Sequence, residues 1–218
     1  LGKGIIETIC IAWFRTKTYN YNLIKHWDGF DAVIDASKTG KPIVFLTPHI
    51  GNFEIAVKAV AHCFGTNFTI LYKPSKDIWF HHLMKTGRME DNIKAVPTNS
   101  RGIVALVRAL NRNEFIGVLP DSVASHGDGT WVDFFGNQVF ATTLSAKMLS
   151  FKDAITFVVG SFRVSGGFNL EFVPYLKKTD DIHVIVQDIY RVIEKMVEKA
   201  PAQYFWSYDR FRTPAHAR

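Results

Sequence analysis

The sequence predicts a single α/β domain with a mostly parallel central sheet flanked by helices. Three observations carry that expectation. Between residues 43 and 119, four short apolar runs alternate with the helical segments between them, the pattern of buried strands joined by crossover helices. The 218 residues are 47% hydrophobic and 21% charged, enough apolar material for one sizeable core. No linker and no internal repeat divides the chain.

The elements follow in chain order. Residues 5–15 read as an apolar helix, too short to span a membrane, and whether a membrane anchor stands upstream of them stays open. A second helix is predicted over 21–39, with Gly40 at its stop. The run 43–46 (IVFL), bounded by Pro42 and Thr47-Pro48, reads as a buried strand. Residues 52–64 are apolar on nearly every face and read as a helix, with Cys63 in the core. A strand at 68–72, a helix at 76–87, a strand at 93–96 and an amphipathic helix at 100–112 come next. After the strand 115–119 the periodicity lapses over 121–141, a stretch rich in Gly, Asp and aromatics, and long irregular stretches in compact domains tend to carry function. A helix at 142–151 precedes two strand-like runs, 155–164 and 168–175, around Ser165-Gly166-Gly167; they read as an antiparallel hairpin finishing the sheet. The last helix, 182–199, has its apolar residues on one face.

Composition narrows the function classes. Two cysteines, Cys10 and Cys63, exclude a disulfide scaffold. Twenty-six Lys and Arg against 20 Asp and Glu give a net charge of +6, which favours anionic partners. No nucleic-acid module, P-loop or G-x-G-x-x-G occurs, so no nucleic acid and no nucleotide is expected.

In parallel α/β sheets ligands gather where strands end. After 43–46 stand His49, Asn52 and Glu54; after 115–119, Asp121; after 68–72, Lys73. Gly51 permits a tight turn between His49 and the helix, which would let Glu54 fold back, fix the imidazole tautomer and stabilise the imidazolium. No serine or cysteine elbow precedes the pair, so the nucleophile is expected to be a substrate hydroxyl activated directly. Asn52 and Asp121 also suit a cap or a turn. His81-His82 are adjacent, a poor metal spacing, and Asp121, His126 and Asp128 match no strong ligand pattern. Lys73, Lys76, Lys85 and Arg88 form a basic cluster beside Trp79, Phe80, Leu83 and Met84, which reads as a solvated face or as a docking surface for an acidic carrier, phosphates or lipid.

At these residues the chain resembles the late acyltransferases of lipid A biosynthesis, the lauroyl and myristoyl transferases of Gram-negative inner membranes. The marks are HIGNFE (49–54), matching H-x-x-x-x-D/E, together with YKP (72–74), GRM (87–89), LPD (119–121), ATT (141–143) and APAQYFWSYDRF (200–211), over roughly 1–212. The wider superfamily includes glycerol-3-phosphate acyltransferases, so a fold of that type is implied. The resemblance implies that His49 is the catalytic base and Glu54 its partner, with Arg88, Asp121, Asn52 and Lys73 at the substrate. Trp131, Phe134, Phe135 and Phe140 are candidates for an acyl groove. Phe53 stands where the family often has Trp, and Ser122 where it commonly has Gln or His. The implied reaction moves a fatty acyl chain from acyl carrier protein to a hydroxyl of a lipid A precursor or related glycolipid, without metal or other cofactor, at the cytoplasmic face of an anionic inner membrane. Three alternatives stay open: an acyl-CoA-dependent glycolipid or phospholipid acyltransferase; a metal-dependent hydrolase of phosphorylated lipids using His49, Asp121, His126 and Asp128; and a non-enzymatic binder of anionic membranes.

Overall fold

The computed structural model describes residues 22–73, 92–124 and 128–215. The helices expected over 5–15 and 76–87, with Cys10, His81-His82, Lys76, Lys85, Arg88 and the neighbouring aromatics, lie outside these residues, as does His126.

The described elements run β1 (Ile24–Asp28), α1 (Phe30–Lys38), β2 (Ile43–Leu46), α2 (Phe53–Phe64), β3 (Phe68–Tyr72), β4 (Ile93–Pro97), α3 (Ser100–Asn111), β5 (Phe115–Val118), β6 (Gly129–Phe134), β7 (Asn137–Thr142), α4 (Leu144–Leu149), β8 (Ile155–Val164), β9 (Gly167–Tyr175) and α5 (Ile182–Lys199), then a 3₁₀ turn at Pro201–Gln203. Seven strands form one sheet in the order β1-β9-β8-β2-β5-β3-β4. From β8 to β4 every pairing is parallel; β8 and β9 are antiparallel, and β1 runs parallel to β9. The expected α/β architecture is therefore the observed one.

Alternation along the strands splits the core in two. Val44, Leu46, Ile116, Val118 and Val158 pack on one face with α3, α4 and α5. Ile43, Phe45, Phe115, Phe157 and Val159 pack on the other with α1 and α2. Both faces of β2 and β5 are thus covered and all their residues are buried, which is why these strands read as unbroken apolar runs.

Four expectations need correction. The helix predicted over 21–39 is β1 followed by α1. Gly29 adopts φ 75° at the junction, and a Cβ there would meet the Phe172 carbonyl oxygen at 2.3 Å, so the chain turns tightly against β9 and the helix cannot run through. The β8–β9 hairpin exists but does not close the sheet: β8 lies beside β2 near its centre and β1 forms the edge beyond β9. Residues 121–141 are less irregular than their composition suggests, since β6 and β7 make a two-stranded antiparallel sheet. Its turn is Phe135-Gly136, both at positive φ (51° and 72°), a geometry that usually selects Asn-Gly. Cys63 is exposed in the last turn of α2 instead of buried.

Candidate active site

Parallel pairing of β2 with β5 sets Leu46 beside Val118, and Thr47 N–H bonds the Val118 carbonyl at 3.0 Å. The two chains leave the sheet together, so His49 and Asp121, 72 positions apart, meet on the C-terminal rim. His49 Nδ1 lies 2.7 Å from Asp121 Oδ1, and the His49 backbone N–H donates to Asp121 Oδ2 at 3.1 Å. The carboxylate therefore fixes both the loop and the ring. An ionised carboxylate only accepts hydrogen bonds, so Nδ1 carries the proton and Nε2 of the neutral ring carries the lone pair. The imidazole retains 16% of its surface; the Asp121 side chain has none. Phe53, at a ring-centroid distance of 5.0 Å, Phe205 at 6.1 Å and Tyr208 at 6.2 Å surround the imidazole.

Gly51 makes the turn into α2 at φ 59°. A Cβ there would fall 1.5 Å from the Ser161 carbonyl oxygen, so the loop presses on β8 where only glycine fits. Asn52 then caps α2, its side chain accepting from Ile55 N–H at 3.3 Å. Its Nδ2 is buried and has no hydrogen-bond partner among the described residues.

Asp121 is held by more than His49. Tyr204 O–H donates to Oδ2 at 2.9 Å and Arg210 Nη2 at 3.0 Å. Burial opposes the carboxylate charge, but His49 and Arg210 outweigh it and hold the carboxyl well below the usual range. Burial, reinforced by the Asp121 charge, drives the Tyr204 hydroxyl far above its ordinary pKa, so it stays protonated as a donor. Tyr204 and Arg210 lie on a strap that leaves α5 through the 3₁₀ turn and returns across the rim. Gly51 N–H bonds the Gln203 carbonyl at 2.9 Å, and Phe205 N–H bonds the His49 carbonyl at 2.9 Å.

The sequence expectations fare unevenly. His49 and Asp121 are brought together, and Asn52 lies between His49 and α2. Glu54 is half-buried in the first turn of α2, but the carboxylate bonded to the imidazole is Asp121. Adjacency along the chain favoured Glu54; the β2–β5 register favours Asp121, whose short side chain reaches both the ring and its backbone. Lys73 is exposed at the end of β3, on the same rim but separated from β2 by β5. Arg88 lies outside the described residues.

The expected aromatic groove is not a shared surface. Phe134 is fully buried against Tyr190 and Tyr204, Trp131 packs on Phe140 from the opposite face of β6, and Phe135 is exposed at the turn. Asp128, the second acid of the metal alternative, is paired with Lys147 at 2.6 Å. Tyr204, Tyr208 and Arg210 had no assigned role from sequence. Their signal was an aromatic-rich, arginine-bearing segment after the last helix, with no strand or helix period to explain it.

The fold and site together define a class: an α/β protein with a carboxylate-held histidine on the C-terminal rim of a parallel sheet. The family described as bacterial lipid A biosynthesis acyltransferase matches residues 1–213. The chain belongs to that family and is an acyltransferase of lipid A biosynthesis. It is 26% identical over 222 residues to the lipid A biosynthesis palmitoleoyltransferase of Escherichia coli K12, covering 98% of this chain and 69% of that protein. With the lipid A biosynthesis lauroyltransferase of the same organism it shares 23% over 235 residues, at the same coverage. A lipid A biosynthesis acyltransferase of Haemophilus influenzae is 25% identical over 189 residues, 85% of this chain and 58% of that protein.

Proposed function

We propose that this chain moves a fatty acyl group from acyl carrier protein to a hydroxyl of a lipid A precursor, with His49 as general base and Asp121 as its orienting acid. The observation that carries this reading is the 2.7 Å His49–Asp121 contact beneath a partly open imidazole. Nε2 takes the proton of the acceptor hydroxyl as its oxygen attacks the thioester carbonyl. The tetrahedral intermediate then collapses, the carbon–sulfur bond breaks, and the imidazolium returns the proton to the leaving thiolate. Asp121 stabilises the imidazolium between the two steps without taking the proton. The thioester is already activated, so this sequence requires no metal and no other cofactor. Asn52 Nδ2, Lys73 and Arg88 are assigned to substrate, the two cations to phosphates or to the acidic carrier. Glu54 stands five positions after the base, in the first turn of α2.

The net charge of +6 supports an acidic carrier and an anionic lipid surface as partners. So do four exposed aromatics around the strap: Phe135 (37% exposed), Phe205 (41%), Trp206 (46%) and Phe211 (44%). Phe135 and Trp206 are 5.9 Å apart, and Phe205 lies against His49. As part of the same proposal, the reaction runs at the cytoplasmic face of an inner membrane. No described helix is long and apolar enough to cross a membrane.

The test is transfer by purified His49→Ala with acyl carrier protein and, separately, coenzyme A as labelled acyl donor and a lipid A precursor as acceptor. Loss of roughly 10²–10⁴-fold in kcat with the fold intact is expected, since a positioned base contributes about that much. Near wild-type turnover of the variant overturns the base assignment, and a wild-type preference for coenzyme A overturns the carrier assignment.

A further inference from the structure

Arg210 is an unusual residue. It is 1% exposed, among the largest fully buried side chains of the molecule, and it sits in the dry interior next to the base. Its Nη2 meets Asp121 Oδ2 at 3.0 Å, its Nη1 donates to the Phe205 carbonyl at 2.6 Å, and its guanidinium lies 4.2 Å from the Tyr204 ring centroid. Burying an arginine is costly unless the interior holds an anion that needs it. That anion is the carboxylate bonded to His49. Tyr204 adds a hydroxyl, 4% exposed as a residue, on the same Oδ2. Asp121 Oδ2 thus accepts from Tyr204, Arg210 and the His49 backbone, which leaves Oδ1 aimed at the imidazole.

We infer that Tyr204 and Arg210 are positioning residues for the transfer reaction: through Asp121 they set the tautomer, orientation and basicity of His49. The inference rests on the base reading above. A merely structural anchor would need no buried ion pair, because the strap is already tied to the rim by the main-chain bonds of Gly51 and Phe205 and by rings packed on Phe134. The two polar groups instead converge on one oxygen. Without Arg210 and Tyr204, Asp121 Oδ2 keeps only the His49 backbone N–H of its three donors, and the carboxylate is free to turn away from Nδ1. Among the described residues, other titratable or charged groups around this cluster include Tyr190 from α5, Tyr208 from the strap, Arg212 with its guanidinium 5.5 Å from the Tyr208 ring centroid, Glu54 in the first turn of α2, and Arg163 from β8, whose Nη2 donates to the Gly51 carbonyl at 2.9 Å.

The experiment uses the whole chain with ¹⁵N-labelled histidine, the His49 ring signals being those missing in His49→Ala. Tyr204→Phe removes a single hydroxyl and should fold; Arg210→Met removes the charge, and Arg210→Lys restores it. The expected result is a weakened Nδ1–H tautomer signature of His49 in Tyr204→Phe and a larger loss of it in Arg210→Met. With it comes a fall in kcat of roughly tenfold for Tyr204→Phe and more for Arg210→Met, on the scale of a lost hydrogen bond to a charged group, with KM held. Arg210→Lys should recover part of both. If the Nδ1–H tautomer signature of His49 and kcat match wild type in folded Tyr204→Phe and in folded Arg210→Met, or in Tyr204→Phe alone should Arg210→Met not fold, the inference is overturned. The ring signals need no substrate, so a wild-type protein that fails to transfer acyl groups sinks the function while leaving this result readable.

Discussion

Asp121 concentrates the chemistry of the molecule into one carboxylate. Its folded-state pKa lies below the unfolded value of about 3.9, so its ionised form stabilises the fold at every pH above that value. The contribution drains away as pH falls through the unfolded value toward the folded one. Acid unfolding of the wild type should therefore steepen below about pH 4. Asp121→Asn should flatten that limb of the Tm–pH curve and also lower transfer at neutral pH, by leaving Arg210 buried without its anion and Nδ1 without an ionised acceptor. An unchanged acid limb would show that the charge is not held as the hydrogen bonds indicate. At this scale the sequence told half the story. His49 and Asp121 were legible because both follow short buried strands. Their pairing was not, because 72 positions separate them and only the β2–β5 register joins them. Arg210 was less legible still: nothing in a polar tail marks one arginine as bound for the interior.

At the scale of elements, the regular parts of the sheet were readable and the junctions were not. β2 and β5 announce themselves as unbroken apolar runs because helices cover both faces, and β3 departs from that pattern only at Thr69. β1 does not, because its pattern (one buried residue, then mostly exposed ones) suits an edge strand and a helix equally. The β6–β7 hairpin was hidden by its turn. Phe135 takes a positive φ that a phenylalanine adopts only under strain, and its N–H is held by Glu194. Strain at an exposed aromatic next to the rim is the kind of cost retained for function. Phe135→Gly should relieve it and raise stability by about 1 kcal/mol, read as a higher denaturant midpoint at constant m-value. A destabilised variant would mean that the contact between the Phe135 and Trp206 rings outweighs the backbone strain.

Across the whole molecule, the sheet, its two apolar cores and the strap orient one face. The exposed rings of Phe135, Phe205, Trp206 and Phe211 and the opening above His49 share the end of the molecule that the strap crosses. Anionic vesicles should quench or blue-shift Trp206 fluorescence, measured against a Trp206→Phe control. The double variant Phe205→Ser/Trp206→Ser should bind them more weakly, roughly tenfold or more for two buried rings. Equal sedimentation of wild type and double variant with the vesicles would move the lipid-facing surface elsewhere.

Chain order adds a last consequence. A ribosome delivers Asp121 well before its counter-ion, for Arg210 follows 89 residues later. A growing polypeptide therefore carries an uncompensated acid beside His49 until α5 is out and the strap folds across the rim. Any protease nick ahead of Tyr204 that released the strap would recreate that half-made condition, and should lower transfer as the loss of Tyr204 and Arg210 together would.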